Sequence, residues 1–239
     1  MSFDELITEC KGCTRCKLRQ NAIQVVPGAG DSKAEIMFIG EAPGKQEDIQ
    51  GIPFVGASGK FLNEMLSSIG LNRDNIYIAN MVKCRPPENR DPDAEELLAC
   101  SDWLSEQLRL INPKVVVTLG RFGMARFFGD KKISQIHGKV TIEGDKAYIA
   151  LYHPAVALYN GSMRDVLSRD FKIIKKVLDM QKSGTLHNLL KDKNEDTIKD
   201  NDPFAHIHNE KGGITGEEKA SATKNSSQNN EEKPTSLFD

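Results

Sequence analysis

A chain of 239 residues carrying 32 Lys and Arg against 34 Asp and Glu, a net charge of −2, has room for one domain or two and neither requires nor excludes a nucleic-acid partner. Five cysteines, an odd number, argue against a disulfide framework. No apolar run approaches the roughly 20 residues of a membrane span, and acids stand where a leader peptide needs a basic start, so a soluble, intracellular monomer is expected.

The composition breaks near residue 183. Residues 183–239 hold 7 Lys and 11 Asp or Glu, a net of −4, which leaves +2 for residues 1–182. Phe204 and Phe238 are the only Phe, Tyr or Trp beyond the break. Such a segment cannot offset its ordering entropy by burial, so it is expected to be a disordered polar tail, with residues 1–182 forming one domain.

In chain order, Cys10, Cys13 and Cys16 form a Cys-x2-Cys-x2-Cys run, and Cys84 and Cys100 complete the set. Four thiolates from these five can hold zinc or an iron-sulfur cluster, and spacing does not choose between them. Residues 34–39 are expected to form a strand, with Ile36, Met37, Phe38 and Ile39 continuously apolar, as in a strand covered on both faces. It delivers the chain to residues 40–59, which contain five glycines and two prolines together with Glu41, Glu47, Asp48 and Phe54. A loop at the carboxyl end of a parallel strand is where α/β sheets bind ligands. Its acids and its lack of a Gly-Lys-Ser/Thr ending argue against a polyphosphate cradle.

Phe61, Leu62, Met65, Leu66 and Ile69 recur at helical spacing, which predicts a helix over 57–69 closed by Gly70. A second strand over 75–80 ends on Asn80, at the same sheet edge as Glu41 if the two strands are parallel. Residues 81–92, with Arg85, Arg90 and three prolines, read as a rigid basic loop able to meet phosphate. Asp91 is the expected N-cap and Pro92 the first residue of a long helix, on which Leu97, Cys100, Leu104, Leu108 and Ile111 share one face. A third strand over 114–120, a short helix over 122–128, extended segments over 133–151 ending in a fourth strand at 148–151, and a last helix marked by Leu167, Phe171, Ile174 and Leu178 follow. The alternation predicts an α/β fold: three layers, α/β/α, around a central, mostly parallel four-stranded sheet.

Taken singly, Phe54 reads as core, Asn80 as a strand-end residue and His153 as a loop residue before proline. Together the motifs resemble the family 4 uracil-DNA glycosylases, the iron-sulfur branch of that superfamily, over roughly residues 13–178. The resemblance is carried by Cys13-x2-Cys16-Lys17-Leu18, Gly40-Glu41-Ala42-Pro43-Gly44, Gly51-Ile52-Pro53-Phe54-Val55-Gly56, Asn80-Met81-Val82-Lys83-Cys84-Arg85-Pro86-Pro87 and His153-Pro154-Ala155. It departs from the family at Gln20-Asn21-Ala22 and Gly28-Ala29-Gly30, outside the implied catalytic set.

The resemblance implies a [4Fe-4S] cluster on Cys13, Cys16, Cys84 and Cys100, with Cys10 left over. It implies uracil-containing DNA as partner and hydrolysis of the N-glycosidic bond, with Glu41 and His153 catalytic. By the same resemblance Phe54 stacks on the base, Asn80 reads it, Glu47 crowds the 5-methyl of thymine and the backbone near Ala42 touches it, while Arg85 and Arg90 meet phosphates. Leu237-Phe238 resemble the end of a sliding-clamp-binding peptide, although Pro234 stands where such peptides carry glutamine. An iron-sulfur electron carrier or redox sensor, and a non-catalytic DNA binder, are the alternative readings of the same residues.

Overall fold

The computed structural model describes residues 1–191. Six strands form one sheet: β1 (Ala29–Gly30), β2 (Ile36–Gly40), β3 (Tyr77–Asn80), β4 (Val115–Leu119), β5 (Val140–Glu143) and β6 (Lys146–Leu151), in the order β1-β3-β2-β4-β6-β5. The inner four are mutually parallel and the two edge strands antiparallel. The expected parallel sheet is therefore the centre of a larger one. β1 carries no strong sequence signal, whereas β5 lies within the extended segments expected over 133–151. β1 is two residues long, and its Gly30 comes so close to β3 that a Cβ would stand 1.9 Å from the Ile76 carbonyl oxygen. β5 is partly exposed along its length and turns into β6 through Gly144, at φ +58°.

Ten helices connect and cover these strands among the described residues: α1 (Phe3–Lys11), α2 (Leu18–Asn21), α3 (Lys45–Gln50), α4 (Ala57–Ser68), α5 (Ala94–Ile111), α6 (Arg121–Phe128), α7 (Ile133–Ile136), α8 (Val156–Tyr159), α9 (Ser162–Lys182) and α10 (Asn188–Lys191). Side chains alternate along the strands, so the sheet buries two faces. Ile36, Phe38, Ile78, Val117 and Ile149 pack on one side with Phe61 and Leu62 of α4 and Phe171 and Ile174 of α9. Met37, Ile39, Ala79 and Val116 pack on the other with Leu104 and Ile111 of α5 and with Phe122 and Phe127 of α6.

Residues 133–136, expected as extended chain, instead form α7, where Ile136 packs with Met124, Phe128 and Ala150, and two boundaries also move. α5 starts at Ala94, with Asp93 rather than Asp91 as its N-cap: Asp93 has Glu96 three residues on, and the two close a reciprocal capping box. At the other end, Leu186 is 3% exposed within the main core, so the packed body continues past residue 182. The remainder of the expected tail and the Leu237-Phe238 pair lie outside the described residues. No described helix is long and apolar enough to cross a membrane.

Candidate active site

The parallel register sets Gly40 opposite Asn80, so β2 and β3 release their loops at one sheet edge, where β6 also ends just before His153. Those loops enclose a cavity of about 220 Å³. Glu41, Ala42, Glu47, Phe54, Asn80, Arg90 and His153, named from the sequence, all line it. Arg85 does not; its Nε donates to Asn89 Oδ1 at 2.7 Å.

Gly40 makes the cavity floor possible. A Cβ there would lie 2.4 Å from Asn80 Oδ1 and 2.6 Å from the Phe54 ring. Gly40→Ala is therefore expected to displace both side chains and close part of the cavity while lowering stability by about 1–3 kcal/mol, checked by thermal melting. Phe54 itself stands at φ +54°, where an aromatic side chain is an outlier. Such strain persists only when surrounding contacts over-determine it. Glu47 supplies one of them: its Oε1 accepts from the Val55 and Gly56 N–H groups, each at 2.7 Å, and the residue is 7% exposed. The residue expected to guard against a methyl group is thus also a brace of the loop that carries Phe54. Nothing local in the sequence signals this, because the brace reaches eight and nine positions on, from α3 across the irregular chain that follows it.

Asn80 is 1% exposed, and its Oδ1 has no hydrogen-bond partner among the described residues. A buried acceptor left open costs about 1–3 kcal/mol unless something donates to it, so this atom marks where a ligand N–H belongs. Behind it, the Lys83 ammonium, itself 1% exposed, donates to the Asn80 carbonyl at 2.8 Å and to Gln107 Oε1 at 2.7 Å. Burial lowers the Lys83 pKa to about 8 against the opposing pull of Cys100 and Cys10. In the sequence Lys83 stands only as one basic member of the Asn80 to Pro87 motif, with nothing to mark it as buried.

The His153 ring lies 5.5 Å from the Phe54 ring, tilted by 30°. Its Nδ1 accepts from the Ala155 N–H at 3.2 Å, which assigns the neutral ring's proton to Nε2. Although part of the residue is open to the cavity, desolvation lowers its pKa to about 4, with Glu47 opposing, so the imidazole is neutral at physiological pH. Glu41 shifts the other way: burial, assisted by Asp91 and opposed by Arg121, pushes its carboxyl up to about 7. Arg90 is held by Glu96 through two bonds of 2.9 and 2.7 Å, which ties the loop to the start of α5. This commitment was not visible in the sequence and reduces what Arg90 has free for phosphate.

The five cysteines lie in a separate apolar cluster with Leu6, Leu18, Val82 and Trp103. Two sulfurs there accept hydrogen bonds, Cys13 Sγ from the Trp103 indole and Cys100 Sγ from the Lys83 backbone, both at 3.2 Å. Burial pushes the Cys84 thiol up to about 12 and Cys100 to about 11. Among the described residues no three His, Cys, Asp or Glu side chains are grouped so as to hold a single metal ion.

The sheet thus gathers at its carboxyl edge an open amide acceptor, a neutral imidazole, an aromatic face and a carboxyl, a set able to hold a flat polar ring beside an acid. The model of the uracil DNA glycosylase superfamily matches residues 27–178. A type-4 uracil-DNA glycosylase of Archaeoglobus fulgidus is 48% identical over 182 residues, covering 72% of this chain and 92% of the relative. Another from Saccharolobus solfataricus is 45% identical over 199 residues, covering 79% and 92%, and one from Thermotoga maritima 41% over 174 residues, covering 70% and 91%. The chain belongs to the uracil DNA glycosylase superfamily, in its type-4 branch.

Proposed function

We propose that the protein is a uracil-DNA glycosylase that hydrolyses the bond between uracil and deoxyribose, the first step of base-excision repair. The single observation that carries this reading is the buried, unpartnered Oδ1 of Asn80 at the cavity floor. Extruding the nucleotide costs about a few kcal/mol of unstacking and unpairing. Phe54 then offers its ring to the base. Asn80 Oδ1 accepts from uracil N3–H and its amide nitrogen donates to O4; cytosine reverses both positions and would leave buried groups unpaired. Cleavage breaks C1′–N1 and sends the bonding pair to uracil, where the His153 Nε2–H donates to the oxygen at C2 on which charge gathers. As a carboxylate, Glu41 stabilises the sugar cation and takes a proton from the water that attacks C1′. Glu47 adds a steric limit against the thymine methyl, and Arg85 holds the DNA backbone outside the cavity.

The thiols of Cys13, Cys16, Cys84 and Cys100 suit an iron-sulfur cluster. They sit among apolar side chains, two of the sulfurs already accept N–H bonds, and a buried ammonium stands near Cys100 to balance thiolate charge. When bound, the cluster supplies a fixed cross-link between the N-terminal residues and the Cys84 to Cys100 segment. Trp103, the single tryptophan of the chain, touches a ligand sulfur. Removing the cluster by oxidation and chelation is therefore expected to raise tryptophan emission severalfold as the brown absorbance disappears; unchanged emission would place the cluster elsewhere.

Incubating the purified protein with a uracil-containing oligonucleotide and scoring alkali-labile abasic sites tests the activity. Release of uracil, and none of thymine or cytosine, is expected. An electron carrier would release no base, and a non-catalytic binder would retain the oligonucleotide uncut.

A further inference from the structure

Glu47 braces the chain after Phe54, yet the Phe54 carbonyl needs a partner of its own. Gly59 in the first turn of α4 approaches so closely that a Cβ there would lie 1.8 Å from the Phe54 carbonyl oxygen. Arg73, half-buried at the start of the short turn before β3, meets this carbonyl from another side. Its Nη2 donates to the Phe54 carbonyl, its Nη1 to the Pro53 carbonyl at 2.9 Å and its Nε to Asn63 Oδ1 of α4 at 2.9 Å. Each of the three guanidinium nitrogens thus donates within the fold. Glu47 also attracts it electrostatically, so the two braces reinforce each other across Phe54.

We infer that Arg73 is a positioning residue for base stacking: it locks Phe54 in its left-handed conformation, with the ring against Gly40 beside Asn80. The inference rests on the reading of Phe54 as the ring that receives the base. Its physical basis is that an aromatic residue released at φ +54° relaxes to negative φ and swings its ring off the cavity floor. Arg73 lies 19 residues from Phe54 in sequence and only seven before Asn80, so it ties the stacking ring to the strand that presents the base-reading amide. A lysine offers one compact ammonium and cannot span the two carbonyls and the Asn63 amide together.

A double-mutant cycle tests this, using single-turnover release from a uracil-containing oligonucleotide with Arg73→Met, Arg73→Lys, Phe54→Ala and the Arg73→Met/Phe54→Ala pair. Phe54→Ala is expected to slow release about 10- to 100-fold, the range that one stacked base is worth. Arg73→Met should cost most of that factor in the native background, but no more than about 2-fold once Phe54 is already Ala, since the two act as one unit. Arg73→Lys should not rescue. Equal losses in both backgrounds, or no loss from Arg73→Met, would overturn the assignment. Should Arg73→Met melt before the assay temperature, Asn63→Ala removes one strut with no change of charge and should show the same dependence on Phe54. If Phe54→Ala leaves release unchanged while Asn80→Ala abolishes it, the stacking role and this inference fall while the glycosylase reading stands. Absence of release by the native protein would instead remove the proposed function itself.

Discussion

Asn80→Ala is expected to lower kcat/KM for uracil release by about 1,000-fold or more, the largest effect of any single side-chain truncation in the cavity. The size follows from where the amide sits. Asn80 is 1% exposed at the end of β3, and its backbone carbonyl is held by Lys83, so the main chain that presents the amide is fixed. Uracil would then bury N3–H and O4 without partners, each at the cost of desolvation rather than the smaller net value of one hydrogen bond. Binding to DNA that already contains an abasic site should be little changed, because no base enters the cavity. A loss below about 10-fold in uracil release would show that the unpartnered acceptor does not read the base.

Glu41→Gln is expected to slow release by about 100-fold at pH 8 and to abolish the acidic limb of the pH profile. The carboxyl is raised from its ordinary 4.5 to about 7 by burial, with Asp91 adding to the shift and Arg121 opposing it. The native enzyme should therefore lose activity as pH falls through about 7, where the carboxylate takes up its proton. His153, already neutral above about 4, should add no limb near its ordinary 6.5.

Stability should move in the opposite sense. The folded state holds the Glu41 proton more tightly than the unfolded chain does, so this residue's contribution to stability falls as pH rises from about 4.5 to about 7. Above that window the buried carboxylate is a standing cost, and Glu41→Gln should stabilise the fold by on the order of 1 kcal/mol at pH 8. A rate profile without a limb near 7, or a Gln variant no more stable than the native protein at pH 8, would contradict the position given to Glu41.

Much of this was legible in the chain. β2 is a continuous apolar run and β4 one broken only by Thr118, α4 and α9 show helical spacing, and the motifs around Glu41, Asn80 and His153 point to one sheet edge. β1 escaped because two residues are too few for a period, and β5 was legible only as extended chain, not as a sheet strand, because it is partly exposed along its length. α5 begins at Ala94 because a reciprocal cap between Asp93 and Glu96 outweighs the favourable Asp-Pro pair at Asp91 and Pro92.

By itself the sequence determined which residues are buried along each element, where the loops open, and which side chains carry titratable or hydrogen-bonding chemistry, because those properties repeat within a few positions. Only the tertiary structure decided what those side chains do to one another. It paired Arg90 with Glu96, set Glu47 and Arg73 on either side of Phe54, left Asn80 Oδ1 open, and placed the buried Lys83 between Asn80 and the cysteines. It also moved Glu41 and His153 in opposite directions on the pH scale. The physical reason is common to all of these: hydrogen bonding and desolvation act at a few ångströms between residues that no local pattern connects.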